Sequence, residues 1–217
     1  MFQDATRIYW ALKSHVGSGR ESRGLGCLLS SRHVLTAHHV YAGVGEPTAL
    51  APGGVWRCRA IAEWPDLDLG VLQTVDLLKP SDVLVPTVFP AFDGNMPGLG
   101  QSLGFLAWLT SGRHRVTYFG QGHVAFFEPR ERKALRFALA GAAVQRGFSG
   151  GPVYTPAGQL VGILVECFQF AANLEHPALV SMPMFSPVAP VADELRKIIS
   201  EQSGGGRLKE LAPRPPE

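Results

Sequence analysis

An all-β fold in two halves, followed by one C-terminal helix, is what this sequence predicts. Many short segments rich in Val, Leu, Phe and Tyr are separated by clusters of Gly, Pro and Ser, the punctuation of a β-barrel or sandwich. These segments fall into two sets on either side of a proline-rich stretch, residues 79–97, with prolines at 80, 86, 90 and 97. A chain of 217 residues with 46% hydrophobic and 18% charged residues is ample for a sizeable core. All-β units of this size commonly count as one domain.

In the first half, residues 7–13, 26–35, 55–61 and 69–75 read as strands, because each is a short β-branched or aliphatic run closed by turn residues. Residues 79–97 read as the connector. The second half offers 101–109, 115–120, 123–127 and 135–140, then 151–154, 160–168 and 179–184. The segment Pro190-Val191-Ala192-Asp193-Glu194-Leu195-Arg196-Lys197-Ile198-Ile199 reads as a helix. Proline stands near its first turn, acids come early and bases later. Val191, Leu195 and Ile198 share one face, which is expected to pack on the second half. Residues 204–217, with glycines first and then prolines 213, 215 and 216, read as a tail or linker.

Composition excludes several functions. A net charge of +2 and the lack of a basic stripe interleaved with aromatics give no reason to expect nucleic acid or an anionic membrane as partner. The longest apolar run, 160–172, contains Glu166 and Gln169 and is too short to span a bilayer. The three cysteines match no zinc spacing, so neither metal nor cofactor is expected. Cys27 and Cys58 fall in apolar strand-like runs, where a free thiol behaves as a small hydrophobe. Residues 1–14 lack the pattern of a signal peptide, and a reducing, cytoplasmic setting is the expectation.

Chemistry concentrates in Gly147-Phe148-Ser149-Gly150-Gly151-Pro152-Val153. Taken alone, it suits either a glycine-rich turn or a nucleophile whose backbone must approach a substrate. The N–H groups of Gly147 and Ser149 can converge on one point, where a developing oxyanion would be stabilised. A serine hydroxyl is a weak nucleophile near neutral pH and needs an imidazole, which in turn needs a carboxylate to orient it. Upstream lie Leu35-Thr36-Ala37-His38-His39-Val40 and Asp66-Leu67-Asp68-Leu69-Gly70-Val71-Leu72. The order is His, Asp, Ser.

These segments resemble those of the trypsin/chymotrypsin-like serine proteases, and most nearly the bacterial HtrA-like branch. Leu35-Thr36-Ala37-His38-His39-Val40 is similar to the family's Leu-Thr-Ala-Ala-His-Val/Cys segment, with His38 where alanine is usual. Asp68-Leu69-Gly70-Val71-Leu72 is similar to its Asp-Leu/Ile-Ala-Val/Leu-Leu segment, and Gly147 to Pro152 to Gly-x-Ser-Gly-Gly-Pro. The resemblance covers roughly residues 5–190. It implies two antiparallel β-barrels, at about 5–80 and 98–188, a helix at about 190–201, and a protease domain spanning 1–203. It assigns His39 as general base, Asp68 as its orienting acid, Ser149 as nucleophile, and Gly147 and Ser149 as oxyanion donors. The implied reaction is hydrolysis of a polypeptide through an acyl-enzyme.

The resemblance also carries finer expectations. Ala143 stands six residues before Ser149, where trypsin-like enzymes place an aspartate, so no preference for Lys or Arg is expected. Val165 and Cys167 would line one wall of the primary pocket and Leu179 or Ser181 another, favouring a small or aliphatic residue. Phe148 replaces the aspartate that pairs with a newly cut amino terminus in digestive zymogens, which argues against that route of activation. Regulation would then come from loop ordering, a partner protein or a fused domain. The rival readings are a catalytically silent binding module on the same fold, or a protease module of a larger bacterial signalling or defence protein.

Overall fold

Antiparallel ladders close twice along this chain. The computed structural model describes residues 9–16, 20–43, 47–51, 54–80, 89–111, 114–129, 135–144, 147–171 and 179–203. The first barrel comprises β1 (Tyr9–Val16), β2 (Arg20–Leu28), β3 (His33–Ala37), β4 (Thr48–Ala51), β5 (Gly54–Trp64) and β6 (Leu69–Pro80). They close in the order β1-β2-β3-β6-β5-β4. The second comprises β7 (Ser102–Ser111), β8 (His114–Pro129), β9 (Leu135–Ala140), β10 (Pro152–Tyr154), β11 (Leu160–Ala171) and β12 (Leu179–Pro187). These close as β10-β11-β12-β9-β8-β7. The architecture is therefore a pair of barrels, and closure leaves neither sheet with a free edge.

One continuous core runs through both barrels. β3 is buried along its whole length, because β2 and β6 flank it on either side. Leu28, Leu35, Leu69 and Leu72 in the first barrel, and Phe105, Leu139, Leu160, Ile163 and Phe185 in the second, are essentially inaccessible to solvent. Each such side chain contributes about 1.5–3 kcal/mol by leaving water. His33, also buried, is satisfied by Ser30 Oγ at 2.8 Å from its Nδ1.

Several elements differ from the sequence reading. The single strand expected at 26–35 is two strands, β2 and β3. The polar run Ser30-Ser31-Arg32 turns between them, closed by Leu29 N–H donating to His33 O at 2.8 Å. The strands expected at 115–120 and 123–127 are one strand, β8. Gly120 and Gly122, which lie at the expected break, both serve close packing: a Cβ on Gly120 would strike the Phe105 ring, and one on Gly122 the Ala140 carbonyl. β4 is a four-residue strand with too little pattern to be seen in advance. The helix expected from Pro190 opens as a 3₁₀ turn, Ala189–Val191, and becomes α1 at Ala192–Ser203. Among the described residues no helix is long and apolar enough to cross a membrane. The expected tail at 204–217 lies outside the described residues.

Contacts across the two barrels and the helix hold them together. α1 buries Leu195 in the common core, while Glu194 accepts a hydrogen bond from Trp64 Nε1 at 2.9 Å, tying the helix to the end of β5. Leu25 N–H on β2 donates to Ser149 O at 2.7 Å, and Thr36 Oγ1 donates to Leu25 O at 2.6 Å. The serine loop of the second barrel is thus bonded to the strands that lead to His39 in the first.

Candidate active site

His39 lies in a 3₁₀ turn, His38–Val40, that follows directly from β3. Asp68 ends a second such turn, Pro65–Leu67, where proline presets the first backbone angle. Asp68 has φ 53° and ψ 41°, and it is the only non-glycine residue with positive φ among those described. Aspartate tolerates this left-handed conformation better than most side chains, at a cost of about 1 kcal/mol. The conformation aims the carboxylate at the histidine turn. Asp68 Oδ1 accepts His39 N–H at 2.8 Å, and Oδ2 lies 2.7 Å from His39 Nδ1. An ionised carboxylate only accepts, so Nδ1–H is the donor and Nε2 is left as the basic nitrogen. His38 N–H in turn donates to Asp68 O at 2.9 Å, locking the two turns together.

His38 points elsewhere. Its Nε2 is 3.7 Å from Glu63 Oε1, and its ring meets Tyr41 edge-on with centroids 5.3 Å apart. Tyr41 explains Gly70, which stands where the family has alanine. The Tyr41 hydroxyl occupies the space a Cβ at 70 would need. Burial is the main reason that hydroxyl is held well above its usual pKa, and Glu63 and Asp68 add to the effect. A cavity of about 480 Å³ opens beside His38, Tyr41 and Glu63. It lies on the flank of the first barrel, and Ser149 does not line it.

Ser149 sits half-buried in a loop whose shape depends on two glycines. Gly147 has φ +94° and Gly150 φ +89°, angles that disfavour any side chain. The loop is pinned by Gly150 N–H donating to Leu164 O at 2.7 Å and Gly151 N–H donating to Phe148 O at 2.9 Å. Among the described residues, neither Gly147 N–H nor Ser149 N–H donates a hydrogen bond. Ser149 Oγ makes a long contact with Val165 O at 3.4 Å, and no hydrogen bond joins it to His39 among the described residues. Such bonds commonly tighten only when substrate is bound. Phe148 is buried against Tyr118 and Phe105, with ring centroids at 5.6 and 6.3 Å, so an aromatic cluster anchors the residue before the serine.

Of the residues expected to shape a pocket, Ala143 is exposed, Val165 is buried and Cys167 is exposed. A bulge separates the last two. Leu164 pairs with Phe185 and Glu166 with Met184, leaving Val165 without a partner across the ladder. The bulge breaks the strict alternation that would give Val165 and Cys167 like surroundings. The side chains of Leu179 and Ser181 lie outside those described. Two residues not singled out in the sequence also reach the acid's turn. Arg136 Nη1 donates to Leu67 O at 3.0 Å, and Ser186 Oγ donates to the same carbonyl at 2.5 Å. A lone arginine inside the apolar run Leu135–Ala140 was the available signal.

The profile of the trypsin-like peptidase domain matches residues 24–163, a span that includes both turns and the serine loop. The chain belongs to the trypsin-like peptidase family. Solved structures agree on the fold of this peptidase. The Rv3671c protease from M. tuberculosis, in its active form, superposes with a TM-score of 0.64 at 20% identity, covering 89% of this chain and 82% of that one. The HtrA-type protease AlgW with a tripeptide superposes with a TM-score of 0.63 at 18% identity, covering 94% of this chain and 64% of that one. A search of curated protein sequences finds no match. Family membership makes this protein a serine protease.

No disulfide joins the three cysteines of the peptidase, and burial sorts them. Desolvation pushes Cys27 and Cys58 up to about 12, with hydrogen bonds from Tyr154 and from the Ala49 backbone offsetting only part of the shift. A thiolate-dependent reagent added to the native protein is expected to modify Cys167 alone, and all three residues after denaturation. More than one rapidly reacting thiol in the native state would contradict this burial.

Proposed function

We propose that the peptidase is an endopeptidase in which Ser149 attacks the scissile carbonyl while His39 Nε2 takes its proton. Asp68 holds the imidazole in the required tautomer and stabilises the imidazolium that forms. The N–H groups of Gly147 and Ser149 receive the oxyanion. His39 then protonates the leaving amine, and a water repeats the sequence to release the acyl group. The observation that carries this reading is the two-point grip of Asp68 on His39, through the backbone N–H at 2.8 Å and Nδ1 at 2.7 Å.

Substrate preference follows from chemistry near the nucleophile. Ala143 brings no negative charge, which supports a small or aliphatic residue before the scissile bond over Lys or Arg. Phe148, held in its aromatic cluster, supports a serine loop that needs no ion pair with a cut amino terminus. Three cysteines that form no disulfide support a reducing, cytoplasmic setting. Control by a partner protein or a fused domain is compatible with each of these features.

A fluorophosphonate probe tests the reading. The uncut wild-type chain is expected to label and Ser149→Ala not to, and a peptide library is expected to show cleavage after small aliphatic residues. Unlabelled wild type would point to a silent binding module, and fast cleavage after Arg would overturn the pocket reading.

A further inference from the structure

We propose that Arg136 is a positioning residue for the Asp68–His39 pair, a cation lent by the second barrel that sets the pH range of catalysis. The proposal rests on the triad reading above. Arg136 lies on β9 with its side chain only 10% exposed. A buried guanidinium is costly unless its charge and donors are used. Nη1 donates to Leu67 O at 3.0 Å, and Nη2 lies 3.9 Å from Asp68 Oδ2, the oxygen bonded to His39 Nδ1. Ser186 Oγ, from β12, closes on the same Leu67 carbonyl. Two donors of the second barrel therefore grip the peptide unit just before Asp68, the residue held at φ 53° in the first.

The grip has two separable effects. Geometrically, it holds the left-handed conformation that aims the carboxylate. Electrostatically, the guanidinium offsets part of the Asp68 charge and so opposes a second positive charge on His39. Among the described residues, the basic side chains within ion-pair reach of Asp68 are His39 and Arg136, of which Arg136 is the permanent cation. Other charged or titratable groups around the turn include Asp66 within it, Tyr41 beside it, the His38–Glu63 pair, and Glu194, which accepts from Trp64 Nε1 where the turn begins. None of these supplies a substitute cation on Oδ2. Without Arg136, the imidazolium would be held more firmly, and the basic form of the site would appear at higher pH.

The test measures kcat/KM between about pH 5 and 9 for the full chain, with rates normalised to the fraction labelled by a fluorophosphonate. Arg136→Met removes charge and donors, and Arg136→Gln keeps a donor for Leu67 O but no charge. Both are expected to lower kcat/KM about tenfold and to move its acid limb up by about one pH unit. Arg136→Lys keeps the charge, and Ser186→Ala loses only the carbonyl contact. Each is expected to lower the rate and leave the limb in place. A limb unmoved in Arg136→Gln overturns the proposal. Should neither neutral variant fold, Arg136→Lys carries the test, and a limb displaced by about one unit there overturns it. Ser149→Ala and His39→Ala run alongside. If they retain full activity the triad reading fails, whereas inactive controls with an unmoved Gln limb refute Arg136 alone.

Discussion

Replacing Ser149 with alanine is expected to lower kcat for peptide hydrolysis by about 10⁴-fold or more, and His39→Ala to do the same. In the proposed mechanism the two residues act as one unit. The hydroxyl is unreactive without a base, and the base has nothing to activate without the hydroxyl. The double variant should therefore be about as slow as either single one, because triad deletions are strongly non-additive. Folding should barely change in Ser149→Ala, since among the described residues the hydroxyl makes only the 3.4 Å contact with Val165 O. Single-turnover and steady-state rates on one peptide check both points. Retention of more than about 1% of kcat in either single variant would remove that residue from the mechanism.

Gly150→Ala is expected to be the most damaging small change in the serine loop. At φ +89° any side chain is strained, and here the new Cβ would overlap Leu25 O on the facing barrel. That carbonyl accepts from Thr36 Oγ1, and Leu25 N–H holds Ser149 O, so the methyl group would wedge the seam between the Ser149 loop and the strands that lead to His39. A stability loss of about 2–4 kcal/mol is expected from strain plus overpacking. Activity should fall at least about 100-fold, because a displacement near 1 Å is enough to misalign a triad. Gly158→Ala is the control. Gly158 has φ +83° but open space around its Cβ position, so it should lose only the backbone strain, about 1 kcal/mol, and keep full activity. Equal damage in the two variants would show that backbone strain rather than the seam is what Gly150 relieves.

Much of the site was legible because its chemistry is local. A serine loop needs glycines on both sides, a histidine turn follows a buried strand, and an aspartate precedes an alternating apolar run. Motif order singled out His39, Asp68 and Ser149, and the fold brings the first two within 2.7 Å. Strands were legible where a mostly apolar run is bounded by polar or turn residues, as at β6 and β9. They were misread where glycine had two meanings. At Gly120 and Gly122 it answers to the Phe105 ring and the Ala140 carbonyl across the sheet, and nothing nearby in sequence distinguishes this from a turn.

By itself the sequence determined the class of fold, and it named the candidate residues and their order, since hydrophobic period and motif spacing are properties of neighbouring residues. Tertiary structure alone decided which contacts tune them. It turned His38 toward Glu63 and His39 toward Asp68, and it separated Val165 from Cys167 through a bulge. It also carried Arg136 and Ser186 to a carbonyl 69 and 119 residues distant. Such contacts depend on how two closed barrels are registered and docked against each other. Those are global constraints, met by the whole core at once, and no local pattern records them.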